Sequence, residues 1–317
     1  MESDFPLFLT FHYCLSGLSL FTYILVLPII CFKTPKDQKH TSYVLLDILV
    51  WEFIADFIWT LFPVYPDNSN GCMYTLGFVA TCATLVPVIS KGIPYLVLLG
   101  FMLNACLGVV LSFFYRFMTI LAPQKTKKYG LKGAVLFSAS IRLLIVAFFS
   151  FSSYGTFQPY QESVALNTTY PVFCYSYADG GATKLVLFTM ICLFVSLFLV
   201  VFWVASIMVY FYKSKAELSQ TTVKLQKLLF RNLLILFTFS ALFGAISAII
   251  EWTSFYLNIE DLQVVTVVAL LMVRCHGTVL CIVCMFVFKS YRQIFKRLLV
   301  AKTALSANTV LVGSLRM

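Results

Sequence analysis

Seven runs of apolar residues, parted by polar segments, divide the chain near 8–32, 41–63, 90–121, 132–154, 184–212, 229–252 and 263–288. Each is long enough, at about 20 residues or more, for a helix to cross the ~30 Å hydrocarbon core of a bilayer. None shows the short alternating segments of a membrane barrel, so helices are the predicted spans. The stretch Cys72–Ser90 is apolar enough for an eighth helix, but Pro87, Gly92 and Pro94 interrupt the region. It is read as part of an outer loop, 64–89, that packs partly on the bundle. The predicted fold is an all-α membrane protein: a seven-transmembrane helix bundle over 1–290, then a cytoplasmic tail over 291–317.

Charge gives the bundle a direction. Of the 23 Lys and Arg residues, 19 fall in four segments that alternate between spans. These are Lys33, Lys36 and Lys39; then Arg116, Lys125, Lys127, Lys128 and Lys132. Lys213, Lys215, Lys224, Lys227 and Arg231 follow, and finally Lys289, Arg292, Lys296, Arg297, Lys302 and Arg316. Juxtamembrane cations stay cytoplasmic because translocating them is unfavourable. The opposite segments hold Glu2, Asp4, Asp67, Glu162, Asp179, Glu260 and Asp261, with Lys91 and Lys184 as their only cations. The N-terminus is therefore expected outside and the C-terminus inside. An eighth crossing at Cys72–Ser90 would carry 16 of the 19 grouped cations to the outer face. Met1–Pro6 has no basic residue, so the first span is expected to act as an uncleaved anchor.

Composition agrees with a lipid-facing surface: 61% hydrophobic, 11% charged and a mean hydropathy of +0.92. The net charge of +10 flanks apolar spans and forms no continuous patch. It suits anionic inner-leaflet lipid or an acidic cytoplasmic partner, and nucleic acid is not expected.

The outer loop 155–183 carries Asn167-Thr168-Thr169, an acceptor pattern for N-glycosylation. Of ten cysteines, Cys72 and Cys174 sit in outer, oxidising segments and are candidates for a disulfide. Cys82 competes for Cys174, and free thiols are the other reading. Cys281 and Cys284 form a CxxC inside a span, where small apolar side chains are expected rather than a redox or zinc site.

Ionisable groups at bilayer depth are costly and mark candidate function. The second span holds Asp47, Glu52 and Asp56, and the seventh holds Arg274 and His276. Asp56 lies roughly 22 Å from Thr41 along its helix, and Arg274 roughly 22 Å from Lys289 along its own. An Asp56–Arg274 ion pair is thus expected, with Glu52, one turn inward, able to share or replace it. Such a pair is either a switchable lock or ligand contact, or a static pair that fixes helix register. Arg142 has no evident partner and is expected to snorkel toward the inner headgroups. Glu251, beside Trp252, Phe255 and Tyr256, faces a ligand vestibule or belongs to an interfacial aromatic belt, the reading preferred here.

Arg116 closes the third span in Phe114-Tyr115-Arg116-Phe117, where it either engages a G protein or anchors the helix to phosphates. Tyr291–Leu299 interleaves basic and apolar residues and suits a short helix on the inner leaflet. No cysteine follows it, so palmitate anchoring is not indicated. Three histidines (His12, His40 and His276) and no HExxH, GxSxG, phosphate-loop or dinucleotide motif give no footing for an enzyme, a metal or a cofactor. The halves show no repeat of the kind that builds transporters. No proline follows Pro171, so no proline-induced break is expected in the last three helices.

Thr34-Pro35-Lys36, then Tyr43-Val44-Leu45-Leu46, Trp51 and Asp56, resemble the first inner loop and second span of the nematode serpentine chemoreceptors, class H (Srh), with class I relatives. Leu218-Ser219 through Thr222 and Lys224-Leu225-Gln226-Lys227 are similar to that family's third inner loop. His276-Gly277 with Lys289-Ser290-Tyr291-Arg292 looks like the HG and YR pattern of its seventh helix. The chain also departs from the pattern. Leu49 stands where a histidine is usual, and Phe114 and Tyr115 precede Arg116 in place of an acidic residue and Asn. The sixth helix lacks the family's Gln and Pro between Leu233 and Ile249, and Glu52 and Arg274 are unusual.

The resemblance implies a G-protein-coupled-type chemosensory receptor of the plasma membrane, of sensory cilia in particular. Its implied partners are a small-molecule ligand, a heterotrimeric G protein and the lipid bilayer. A ligand bound among the outer halves of the helices would shift a pre-existing arrangement by favouring one state. The basic inner loops and Arg116 would face the G protein. The alternatives are a ligand-gated channel or transporter on a seven-span scaffold, and an orphan scaffold without a ligand.

Overall fold

The computed structural model describes residues 5–34, 39–77, 92–153, 157–159, 171–175, 181–213, 220–257, 260–295 and 297. Its helices follow the apolar runs. They are α1 (Phe5–Lys33), α2 (Lys39–Leu61), α3 (Ile93–Leu121), α4 (Pro123–Ser153), α5 (Gly181–Lys213), α6 (Gln220–Ser240), α7 (Ser247–Tyr256) and α8 (Gln263–Val287). A π-helical segment, Ala241–Ile246, joins α6 to α7 in one rod. α4 starts well before residue 132 and α6 before 229, because the basic segments continue each helix beyond its apolar stretch.

Six of these rods are long and apolar enough to cross a membrane: Phe5–Lys33, Ile93–Leu121, Val135–Ser153, Thr183–Lys213, Lys227–Ser254 and Gln263–Val287. α2 differs in that any 18 consecutive residues of it contain Asp47, Glu52 and Asp56 together. Local sequence sets the helix ends. Gly92, at φ 66°, turns the chain into α3, with Pro94 in the first turn where its missing N–H costs nothing. Ala122 leaves the helical region at φ −132° and Pro123 opens α4.

The structure corrects the all-helical expectation. Val64–Asp67 (β1), Cys72–Thr75 (β2), Phe157–Pro159 (β3) and Val172–Tyr175 (β4) form an antiparallel sheet in the order β1-β2-β4-β3. The Asn68-Ser69-Asn70-Gly71 turn closes the first hairpin, and the Asp67 carboxylate accepts hydrogen bonds from Ser69 Oγ at 2.6 Å and Asn70 Nδ2 at 2.9 Å. Their length of three or four residues and turn-rich flanks hid these strands from a hydropathy reading. Of the proposed loop 64–89, residues 78–89 lie outside the described residues, as do Cys82 and Asn167.

The sheet sits over one end of the bundle. Phe5 packs on Tyr65 and Tyr74 with ring centroids 5.0 and 5.4 Å apart, and Tyr95 packs on Phe173 at 5.9 Å. Asn68 donates from its backbone to Gln263 Oε1 at 2.9 Å and from Nδ2 to Thr266 Oγ1 at 2.8 Å, which fastens the hairpin to the start of α8. Cys72 and Cys174 stand directly opposite in the β2–β4 ladder and are joined by a disulfide. That bond closes a loop of 102 residues. Replacing either cysteine by serine should therefore cost about 2–5 kcal/mol. The check is surface level by flow cytometry beside a thermal unfolding curve in detergent; unchanged values for both variants would mean the sheet holds without the bond.

Among the described residues the interior has two apolar clusters. One joins the sheet to the near ends of the helices through Phe8, Tyr74, Leu98, Phe173 and Trp252. The other fills the opposite half with Tyr23, Leu49, Phe113, Phe230, Leu280 and Cys284. Cys281 and Cys284 are buried free thiols of this second cluster. Past α8, Phe288 adopts an extended conformation before a further helical turn, whose Tyr291 hydroxyl lies 3.0 Å from Thr34 Oγ1 at the end of α1. Burial pushes the Tyr291 phenol above its ordinary pKa, against the opposing effect of that hydrogen bond.

Candidate functional site

Between the two clusters lies a polar layer contributed by three helices. α1 supplies His12, Ser16 and Ser19; α2 supplies Glu52 and Asp56; α8 supplies Arg274, His276 and Thr278, all buried. Glu52 and Asp56 are four residues apart, so one face of α2 presents both carboxylates. Arg274, 1% exposed, places Nη1 2.5 Å from Asp56 Oδ1. Its Nη2 donates to Ser16 Oγ and Thr60 Oγ1, both at 2.8 Å. These hydroxyls are oriented locally. Ser16 donates to the His12 carbonyl and Thr60 to the Asp56 carbonyl, each one turn back at 2.8 Å, which leaves oxygen lone pairs for the guanidinium.

Glu52 takes a different partner. Its Oε1 lies 2.9 Å from His276 Nδ1. With His276 protonated, the four ionisable groups sum to zero charge, the condition under which ions are tolerated away from water. A third tie, Ser19 Oγ to Thr278 Oγ1 at 2.5 Å, again joins α1 to α8.

Two glycines make room for this layer. A Cβ on Gly277 would overlap the Tyr23 hydroxyl and come within 3.1 Å of Asp56 Oδ2. Gly244, in the π-helical segment, lies against the His276 ring, whose atoms would be 3.5–3.7 Å from an added Cβ. The Tyr23 hydroxyl and the Asp56 carboxylate face each other, while His276 Nε2 is buried without a hydrogen-bond partner in this arrangement. Polar atoms left so are a reserve of alternative bonding, and π-turns cluster where helices bend or carry function.

The other sequence candidates fall elsewhere. Glu251 is not a belt residue: it is 5% exposed, and the Tyr95 hydroxyl donates to its Oε1 at 3.0 Å within the sheet-side cluster. Arg142 does not snorkel. It pairs with Asp47, because its buried guanidinium finds a carboxylate across α3 before it could reach headgroups. Arg116 is half-buried beside a cleft lined by Leu45, Ile48, Ser112, Leu233 and Phe288, on the side opposite the sheet.

Sequence reasoning missed Ser16, Thr60 and Tyr23, and it read Gly277 only as part of a family motif. The serine, threonine and tyrosine were one among many hydroxyls in apolar runs. The π-helical segment was invisible, since neither a proline nor a change of hydropathy marks it.

A family model described as "Serpentine type 7TM GPCR chemoreceptor Srh" matches residues 4–301. No curated protein matches the chain. The family is one of receptors, not of enzymes, and it favours the receptor reading over a channel or transporter. With its apolar helices, its ordered core and a match over nearly its whole length, this chain belongs to the Srh family of serpentine, seven-transmembrane, G-protein-coupled-receptor-type chemoreceptors.

Proposed function

We propose that the protein is a seven-span chemosensory receptor of the plasma membrane, with α2 as the seventh crossing, the N-terminus outside and the C-terminus inside. It detects a small molecule on the sheet side and activates a heterotrimeric G protein on the other. The observation that carries this reading is the position of the polar layer. It lies between the sheet-side cluster, which holds Glu251, and the opposite cluster, which borders the Arg116 cleft, and it touches the π-helical segment through His276. A ligand that rearranges the outer cluster can therefore change the bonding of Glu52, Asp56, Arg274 and His276, and with it the bend of the α6–α7 rod. In this reading Glu251, Arg274 and His276 take part in ligand sensing, Asn167 is glycosylated, and sensory cilia are the site of action.

The test has two steps. An N-terminal tag should be reached by antibody on intact cells and a C-terminal tag only after permeabilisation; both tags on one side would sink the topology. A panel of small molecules is then screened with a G-protein readout. For any active compound, Arg116→Ala should lower G-protein activation by about tenfold or more, as expected of a charged interfacial hot spot, at unchanged surface level. A full response from Arg116→Ala would remove that residue from the signalling face.

A further inference from the structure

The Asp47–Arg142 pair lies well inside the apolar part of the fold. Asp47 is eight residues from Lys39 at the start of α2, or roughly 12 Å along the axis. Arg142 is seven residues beyond Val135, where the apolar stretch of α4 begins, or roughly 10 Å. Each nitrogen of the arginine has a partner. It donates from Nη1 to the Asn104 carbonyl at 2.7 Å, from Nε to Ser138 Oγ at 3.3 Å and from Nη2 to Asp47, and its Cζ lies 5.2 Å from the centroid of the Trp51 ring. Gly108 of α3 gives it passage, since a Cβ there would meet Ile48 Cγ1 at 3.0 Å and Arg142 Nη2 at 3.3 Å.

The carboxylate is not used up. Asp47 accepts from Trp51 Nε1 at 3.2 Å and from Arg142, while its side chain is 40% exposed against 9% for the arginine. A carboxylate has about four acceptor positions. Asp47 lies on one strip of α2 with exposed Tyr43, Val50, Phe57 and Leu61 and half-buried Ile54, at the three- and four-residue steps of a helix-packing face. Acyl chains bring no donor to that depth.

We propose that this strip docks a transmembrane helix of a partner membrane protein carrying a hydroxyl or carboxamide donor at the depth of Asp47. The donor is neutral because Asp47 and Arg142 already balance, and a further ion would stand uncompensated in hydrocarbon. The partner is a different protein, because a parallel two-fold pairing of this strip with itself would set Asp47 against a second carboxylate. The inference rests on α2 lying within the bilayer, which the tag experiment tests separately.

The direct test co-expresses the full-length receptor with a single-span polyleucine probe helix that carries one Asn at the matching inner depth, or none. Energy transfer between fluorescent fusions is compared at equal surface levels. The Asn probe should associate about fivefold more than the all-Leu probe, the scale of one interhelical hydrogen bond in a membrane. Val50→Trp, which covers the strip without altering the Asp47–Arg142 pair, should erase the difference, while Ile191→Trp on the exposed face of α5 should keep it. A photo-crosslinker at Val50 should capture the Asn probe in preference to the all-Leu probe. Equal association of both probes, a preference that survives Val50→Trp, or capture of lipid alone would overturn the proposal.

Discussion

Arg274→Met should remove most of the receptor from the cell surface, and Asp56→Leu in the same chain should bring much of it back. The single substitution leaves a carboxylate 6% exposed with its cationic partner gone, and the accepting hydroxyls of Ser16 and Thr60 lose their donor. Breaking one side of a buried pair costs about 3–5 kcal/mol, whereas replacing both members with apolar groups of similar volume is often neutral. The double variant therefore separates the energetic cost of a lone charge from the need for the pair itself. Surface level and detergent melting temperature report folding, and the G-protein readout reports signalling. Recovery of folding without recovery of signalling is the outcome that makes the pair a switch. Recovery of both would make it a register-fixing contact, and no recovery at all would deny the pairing.

Partner choice gives this experiment a sharper arm. Because Glu52 faces His276 and Asp56 faces Arg274, an Arg274→Asp receptor should be rescued by Asp56→Arg and not by Glu52→Arg. Rescue by Glu52→Arg alone would exchange the two assignments.

Gly277→Ala should be nearly as damaging, through shape instead of charge. The added methyl would occupy the place of the Tyr23 hydroxyl, on a ring that is 1% exposed and packed edge-on against Phe53 at 5.3 Å. A rigid buried ring cannot swing away as a lysine would. Overpacking of this kind costs about 1–3 kcal/mol. The same methyl comes within 3.1 Å of Asp56 Oδ2 and so presses on the ion pair. Tyr23→Phe removes the colliding oxygen, at the cost of its contact with the Asp56 carboxylate. Gly277→Ala with Tyr23→Phe should therefore melt closer to the unaltered receptor than Gly277→Ala alone. Equal melting temperatures for the single and double variants would place the steric limit elsewhere.

The resemblance read from Thr34-Pro35-Lys36, His276-Gly277 and Tyr291-Arg292 pointed to the family that the match over residues 4–301 shows. Helix positions were legible for a simple reason: an apolar run near 20 residues is a local property, and burial or lipid contact rewards it wherever it sits. The Asp56–Arg274 pairing was legible because counting residues from each helix end fixes depth, and depth limits the choice of partner. Cys72 and Cys174 were legible as candidates because outer placement narrows ten cysteines to a few.

Rotation of the helices about their axes was not legible, and most of the candidate site depends on it. Asp47, Glu52 and Asp56 share one helix, yet only the packed bundle sends Asp47 outward to Arg142, Glu52 to His276 and Asp56 to Arg274. Lipid and protein interior are almost equally apolar, so a hydropathy pattern cannot say which face of a span looks inward. The burial of Glu251 behind Tyr95, the short strands in the segments between helices and the π-helical segment at Gly244 were hidden by the same limit. The sequence alone determined the number of long apolar runs, the likeness to the family and the groups costly enough to need partners. The tertiary structure alone decided which partner each group received, because that depends on how the helices rotate, tilt and close against one another.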